Sequence, residues 1–357
     1  MKHQKTIIAL FILSILCSGW VHLQNYFAPS PVLFRVPKGW PQPVYNFKAN
    51  PLTKEGIELG RQLFYDTRLS KDGTISCGTC HQQFGAFNTY DHNLSHGFNN
   101  TLTTRNAPGL FNLAWQKEFM WDGGINHLDL QPLAPITAEN EMAESIMNVI
   151  KKLQAEKAYR KLFKAAFGDE TINTQRMTKA ISQFLLTLVS SNSKYDRIKM
   201  GLDTFILPEK LGYEIFQRKC ASCHAEPFFT DYSYRNIGMP LDPFLKDIGR
   251  MKISNESTDS LKFRVPSLRN VMRTFPYGHD GRFFSVLSVM EHYRKNMVVS
   301  TTTDSLLKNR LSLSNFEIGQ LTAFLYTLTD SSFLNNPAFA APGKGISATA
   351  PADIHNN

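Results

Sequence analysis

Residues 77–81 read Cys77-Gly78-Thr79-Cys80-His81, and residues 220–224 read Cys220-Ala221-Ser222-Cys223-His224. This repeated pentad decides how the rest of the chain is read. Two cysteines separated by two residues can both bond the vinyl groups of a porphyrin, while the adjacent histidine swings beneath the iron as proximal ligand. A zinc site or a thioredoxin-like pair would use the cysteines but leave both histidines unexplained. The chain has five cysteines, and Cys17 alone lies outside the pentads. Four paired cysteines in an exported protein would ordinarily suggest disulfides. The histidine after each pair points instead to two covalently bound haem c groups, with His81 and His224 on the irons.

The sequence around the pentads also repeats. Leu59-Gly60-Arg61-Gln62-Leu63-Phe64 precedes the first, and Leu211-Gly212-Tyr213-Glu214-Ile215-Phe216 precedes the second. Apolar residues at that spacing lay one stripe of a helix on a core, and glycine permits close approach. Beyond the pentads, Arg105-Asn106-Ala107-Pro108 and Trp121-Asp122-Gly123 match Arg264-Val265-Pro266-Ser267-Leu268 and His279-Asp280-Gly281. Helical periodicity continues through Ile146, Val149, Ile150 and Leu153, and through Met177, Ile181, Phe184, Leu185 and Leu188. No alternating strand series stands out. The expected fold is all-α: two tandem cytochrome c-like domains, residues 51–205 and 206–338, each with one covalently attached haem. Residues 20–50, rich in proline, read as an extended arm, and 339–357 as a flexible tail.

At the N-terminus, Lys2 and Lys5 precede an apolar run from Ile7 to Leu16. That is the layout of a secretory signal over residues 1–19, and the run is short for a membrane span. Export to the periplasm is expected, with an uncleaved anchor or a lipid on Cys17 as alternatives. The formal charge is +9, but the basic residues are scattered and nothing resembles a nucleic-acid module.

Because the halves repeat, their distal sides can be compared within one chain. Thirteen residues after Asp280 stands Tyr293, and thirteen after Asp122 stands Pro135. The first offers an oxygen donor; the second has no side-chain donor. One iron would be closed and the other open to a small molecule. Near Tyr293 are three further candidate ligands, Met290, His292 and Met297. Near Pro135 are Gln131 and Glu141. Heterolysis of a peroxide needs a proton moved between its oxygens, work suited to a carboxylate, and an amide can orient the peroxide.

With these motifs, the RVPSLRN…FPYGHDGRF block and the Phe119-Met120-Trp121-Asp122-Gly123-Gly124 stretch, residues 36–330 resemble the bacterial dihaem cytochrome c peroxidase family, which includes MauG-type enzymes. The resemblance implies that Cys77, Cys80 and His81 hold the peroxide-reacting haem, and Cys220, Cys223 and His224 the electron-transfer haem. It implies that Trp121 carries electrons between them and that Gln131, Pro135 and Glu141 form the distal pocket. It further implies a Ca²⁺ bound by Asn106 and the carbonyls of Thr274 and Pro276, oxygen donors suited to a hard cation. His96 resembles a histidine that caps the first iron in many resting members, with His92 competing. At the second iron the matching position is Tyr293, as in MauG-type enzymes, where ordinary members use methionine; Met297 is the alternative. The implied function is an exported enzyme reducing hydrogen peroxide with electrons from a small cytochrome c or a cupredoxin. The alternatives are MauG-like oxidation of Tyr or Trp in a partner protein, and a non-catalytic dihaem electron carrier. Homodimers are common among such proteins.

Overall fold

The computed structural model describes residues 28–90 and 92–343. The signal expected at 1–19, with Cys17, lies outside the described residues, as do 20–27 of the arm and 344–357 of the tail.

Among the described residues, eight α-helices have six or more residues: α1 (Lys54–Phe64), α2 (Ile146–Ala155), α3 (Lys157–Phe167), α4 (Thr174–Thr187), α5 (Lys194–Lys199), α6 (Leu207–Lys219), α7 (Val286–Glu291) and α8 (Asn315–Tyr326). Their starts follow capping chemistry. Thr53 accepts the Gly56 amide at 3.0 Å to begin α1, and Asn173 accepts that of Arg176 at 2.9 Å to begin α4. The one paired ribbon among these residues is β1 (Tyr234–Arg235) against β2 (Phe263–Arg264), antiparallel, with Tyr234 opposite Arg264. It pins the base of the long excursion 236–262 and adds no sheet layer.

The two most extensive helix contacts are α1 on α4 and α6 on α8. They are the same crossing made twice. A Cβ on Gly60 would lie 1.9 Å from the Ala180 carbonyl oxygen, and a Cβ on Gly212 would lie 2.0 Å from that of Gln320. The shared Leu-Gly phrase is therefore a backbone-on-backbone contact that any side chain would force apart.

Two hydrophobic cores result. The first gathers Leu59, Phe64, Phe163 and Phe184, and the second Ile215, Phe216, Phe229 and Phe324. The chain does not divide cleanly between them. Tyr195, on α5, sits in the second core, while Phe228, Phe333, Leu334 and Phe339 return to the first. The described arm is not free either. Phe34, Trp40, Tyr45 and Phe47 pack on the first core, and Trp115 donates to the Pro41 carbonyl at 2.7 Å. At the other end residues 339 and 340, assigned to the expected tail, are packed on the fold. Phe339 is buried, Tyr65 donates to its carbonyl at 2.7 Å, and Arg61 donates to that of Ala340 at 2.9 Å. No helix among the described residues is long and apolar enough to cross a membrane.

Gly60→Ala and Gly212→Ala should each lower unfolding free energy by roughly 1–3 kcal/mol, the usual cost of overpacking. Gly319→Ala, where a Cβ meets nothing within 4 Å, should leave it unchanged or raise it. Denaturant melts of the three variants check this, and wild-type stability in Gly60→Ala would refute the crossing.

Candidate active site

Each pentad opens onto a largely apolar cavity. Cys77 and Cys80 lie on a one-turn helix, Cys77–Cys80, capped by Ser76. The second pentad starts at the C-terminus of α6. The four thiols are free, and burial raises their pKa values, to about 12 for Cys77 and Cys220. His81 Nδ1 lies 2.7 Å from the Phe87 carbonyl oxygen, and His224 Nδ1 lies 3.1 Å from that of Phe229. Each imidazole thus donates through Nδ1 to the backbone and keeps the Nε2 lone pair, as a metal ligand must. Both carbonyls belong to phenylalanines at positive φ, 60° and 54°, a conformation rare for bulky residues. Burial lowers both histidine pKa values, His81 to about 4, so both rings are neutral at pH 7. Two thiols and a neutral, oriented imidazole on an apolar wall fit a covalently held haem in each cavity.

The far wall of the first cavity carries Gln131, Pro135 and Glu141 together. Pro135 lies on the short helix Leu133–Thr137, and the Met142 amide returns to its carbonyl at 3.1 Å. The loop before it is clamped too. Phe98 donates its amide to the Glu141 carbonyl at 2.6 Å, and a Cβ on Gly97 would come within 2.0 Å of the Asn140 carbonyl oxygen. Glu141 does not cap α2, because Ser145 does, accepting the Asn148 amide at 3.2 Å. Its carboxyl instead lines the cavity, where burial raises its pKa. Gln131 Nε2 lies 3.9 Å from the Met120 sulfur.

His96 is not brought to this wall. Ser95 and Gly97 line the cavity, but His96 between them is exposed, its Nδ1 2.8 Å from Asn100 Oδ1. His92, its ring 5.6 Å from that of His96, is exposed as well.

In the second cavity the four candidates separate. Tyr293 and Met290 line it; His292 and Met297 do not. Tyr293 lies on a π-helical turn, His292–Asn296, that follows α7. Such turns shift the register of a helix face and recur at functional sites. Burial, and then the neighbouring Cys220 and Cys223, raise the Tyr293 phenol pKa. His292 turns away, with Nε2 2.8 Å from the Ile237 carbonyl oxygen. Met297 is buried against Gly238, where a Cβ would meet it at 3.1 Å.

Between the cavities runs a seam of reciprocal backbone bonds. The Asn106 amide donates to the His279 carbonyl and the Arg264 amide to the Trp121 carbonyl, each at 2.8 Å. Trp121 is buried, lines both cavities, and donates through Nε1 to the Asn106 carbonyl at 2.8 Å. Asn106 lines both as well, and Thr274 and Pro276 line the second. The Asn106 amide nitrogen donates to the Asn93 carbonyl at 3.0 Å, while no described residue donates to its Oδ1.

Two features escaped the sequence reading. The excursion 236–262 belongs to the second half, yet its Lys246, Asp247 and Lys252 line the first cavity. Asp247 is held there by Arg105, which bridges it and Asp122 at 2.6 Å each. Arg264 is buried at the seam and lines both cavities. Anchoring the repeat on Pro108 and Pro266, each of which lines the cavity beside its own pentad histidine, would have set Arg264 opposite Asn106.

A family model described as di-haem cytochrome c peroxidase matches residues 54–204. The methylamine utilization protein MauG of Methylorubrum extorquens is 37% identical over 301 residues, covering 83% of this chain and 83% of its own. The cytochrome c551 peroxidase of Nitrosomonas europaea is 32% identical over 316 residues, covering 84% of this chain and 87% of its own. Among solved structures, a MauG-like protein associated with microbial copper homeostasis superposes with a TM-score of 0.80 at 30% identity, over 87% of this chain and 99% of that one.

Trp121→Phe keeps most of the ring but strips the donor from the buried Asn106 carbonyl. Thermal or denaturant unfolding should show a loss of about 1–3 kcal/mol. Unchanged stability would mean that the indole bond does not hold the seam.

Proposed function

The chain belongs to the di-haem cytochrome c peroxidase family that includes the MauG proteins, and from that membership we propose an exported peroxidase that reduces hydrogen peroxide at the first cavity. Electrons come from an external redox protein, a small cytochrome c or a cupredoxin, through the second cavity. One observation carries this assignment of roles. Pro135, which has no donor, stands with Glu141 and Gln131 on the wall of the first cavity, whereas Tyr293 stands on the wall of the second.

In this reading Cys77, Cys80 and His81 hold one haem, and Cys220, Cys223 and His224 the other. Haem, when bound, supplies the redox chemistry that takes two electrons and two protons to convert one peroxide into two waters. The protein's own part is proton handling and positioning. Burial keeps Glu141 protonated to a higher pH than an exposed carboxyl, so its carboxyl can exchange protons with the two peroxide oxygens in turn. Gln131 orients the peroxide through its amide. Pro135 keeps this wall free of a competing ligand, and His96 stays outside. Trp121, on both walls, passes electrons between the cavities. Tyr293, which lines the second cavity where Met297 does not, would be the side chain that ligates the iron of a haem held there. The Asn106 Oδ1, to which no described residue donates, supports a Ca²⁺ at the seam, shared with the Thr274 and Pro276 carbonyls.

Tyr293 and the likeness to MauG favour a second reading, in which the same peroxide step withdraws electrons from Tyr or Trp of a partner protein. A phenolate is a hard anionic donor that stabilises oxidised iron, where methionine would raise the potential.

Stoichiometric peroxide added to the oxidised protein, or after one-electron reduction, should change the haem spectrum. No response in either state would leave only an electron carrier. Glu141→Gln should slow peroxide turnover by roughly 10²–10⁴-fold and remove the alkaline limb that Glu141 contributes above the ordinary carboxylate range. The raised pKa also fixes a stability sign. The unfolded chain loses this proton first, so ionisation costs folding stability as pH rises through the folded pKa. Glu141→Gln should therefore be at least as stable as the parent at neutral pH, and a destabilised, fully active variant would refute the role. Tyr293→Phe should alter the spectrum of the second haem alone; an unaltered spectrum removes Tyr293 as its ligand.

A further inference from the structure

Two arginines are buried among the described residues, and they differ in one respect. Arg269, 0% exposed, meets Asp196 through two hydrogen bonds of 2.8 Å. Arg264, 8% exposed, has no carboxylate within ion-pair distance among the described residues. Its guanidinium makes one long contact, Nε to the Met120 carbonyl at 3.4 Å. A buried cation without a counter-charge is strongly unfavourable unless an anion completes it. The protein did not lack acids to place here, since Arg105 nearby has both Asp122 and Asp247.

The location of Arg264 identifies the missing anion. It lines both cavities, and its backbone is fixed by the 2.8 Å bond to the Trp121 carbonyl. The repeat anchored on Pro108 and Pro266 makes it the counterpart of Asn106, so the seam carries a neutral amide from one half and a cation from the other. Haem is a dicarboxylate, and guanidinium is the side chain best matched to carboxylates, with donors enough for two of them. We propose that Arg264 is a shared anchor for the haem propionates of both cavities, a positioning residue whose single charge sets the two haem potentials together. The inference rests on the reading that each cavity holds a haem, which haem stoichiometry tests separately: intact mass should show two haems per wild-type chain.

The test compares Arg264→Met, which keeps length and loses charge, with Arg264→Lys, which keeps charge. Spectroelectrochemical titration should show both potentials moving to more negative values in Arg264→Met, because a cation near both irons no longer favours the reduced state. Arg264→Lys should restore most of the shift. Unchanged potentials in Arg264→Met, a shift at one haem only, or equal shifts in both variants would overturn the proposal while leaving two haems per chain intact. Should Arg264→Met fail to accumulate with two haems, resonance Raman of Arg264→Lys decides: propionate bending bands of both haems shift if the guanidinium bonds them, and unshifted bands overturn it.

Discussion

Two backbone hydrogen bonds hold the functional geometry of this molecule: Asn106 to the His279 carbonyl and Arg264 to that of Trp121. Each half donates one, and each receives one next to its own aromatic-Asp-Gly phrase. Main-chain bonds fix spacing and direction without depending on side-chain rotamers. Two separately built cavities thereby acquire a common wall, and Trp121 becomes part of both. Had the halves met through exposed ion pairs, worth little and screened by salt, no such fixed wall would follow.

The halves share their proximal architecture and diverge distally. On the proximal side both use a glycine-mediated helix crossing, a pentad, and a positive-φ phenylalanine whose carbonyl orients the histidine. That set does one job, holding a neutral imidazole with one nitrogen free, and duplication preserves it. On the distal side the first half carries Pro135 on its short helix and Glu141 just beyond it, both lining the cavity, whereas the second has a π-turn that presents Tyr293. A proline cannot supply a donor, and a phenol can. Unequal distal chemistry in two like cavities is what the proposed enzyme needs and a simple electron carrier does not.

Burial of polar groups marks where function has displaced stability. Glu141 stands in the first cavity with no basic partner among the described residues, and desolvation raises its pKa. Arg264 lies at the seam without an acid. Elsewhere among the described residues buried charges are commonly paired, as Asp196 with Arg269 and Glu58 with Arg61 are. Two ionisable groups without an ion-pair partner among the described residues thus line the cavities, where an uncompensated charge is costly unless a ligand completes it.

The primary sequence alone determined the covalent chemistry and the duplication. The pentads, the Leu-Gly phrases and the aromatic-Asp-Gly phrases are local, and their spacing is a property of the chain. Helix periodicity likewise marked α2 and α4, because a stripe facing a core leaves its period in the sequence. Pro135, with Gln131 and Glu141 beside it, could also be picked out because the repeat supplied a ruler, whereas Trp121 came from the family resemblance. Tertiary packing decided the rest. Whether His96 or its neighbours Ser95 and Gly97 meet the cavity depends on which way one residue's side chain leaves a loop, and His96 leaves it toward solvent and Asn100. Which of Met290, His292, Tyr293 and Met297 reach the cavity depends on a π-turn, whose wider repeat no 3.6-residue pattern reveals. Arg264 and Asp247 reach the shared wall only because distant segments fold onto it, and spacing along a chain carries no information about that convergence.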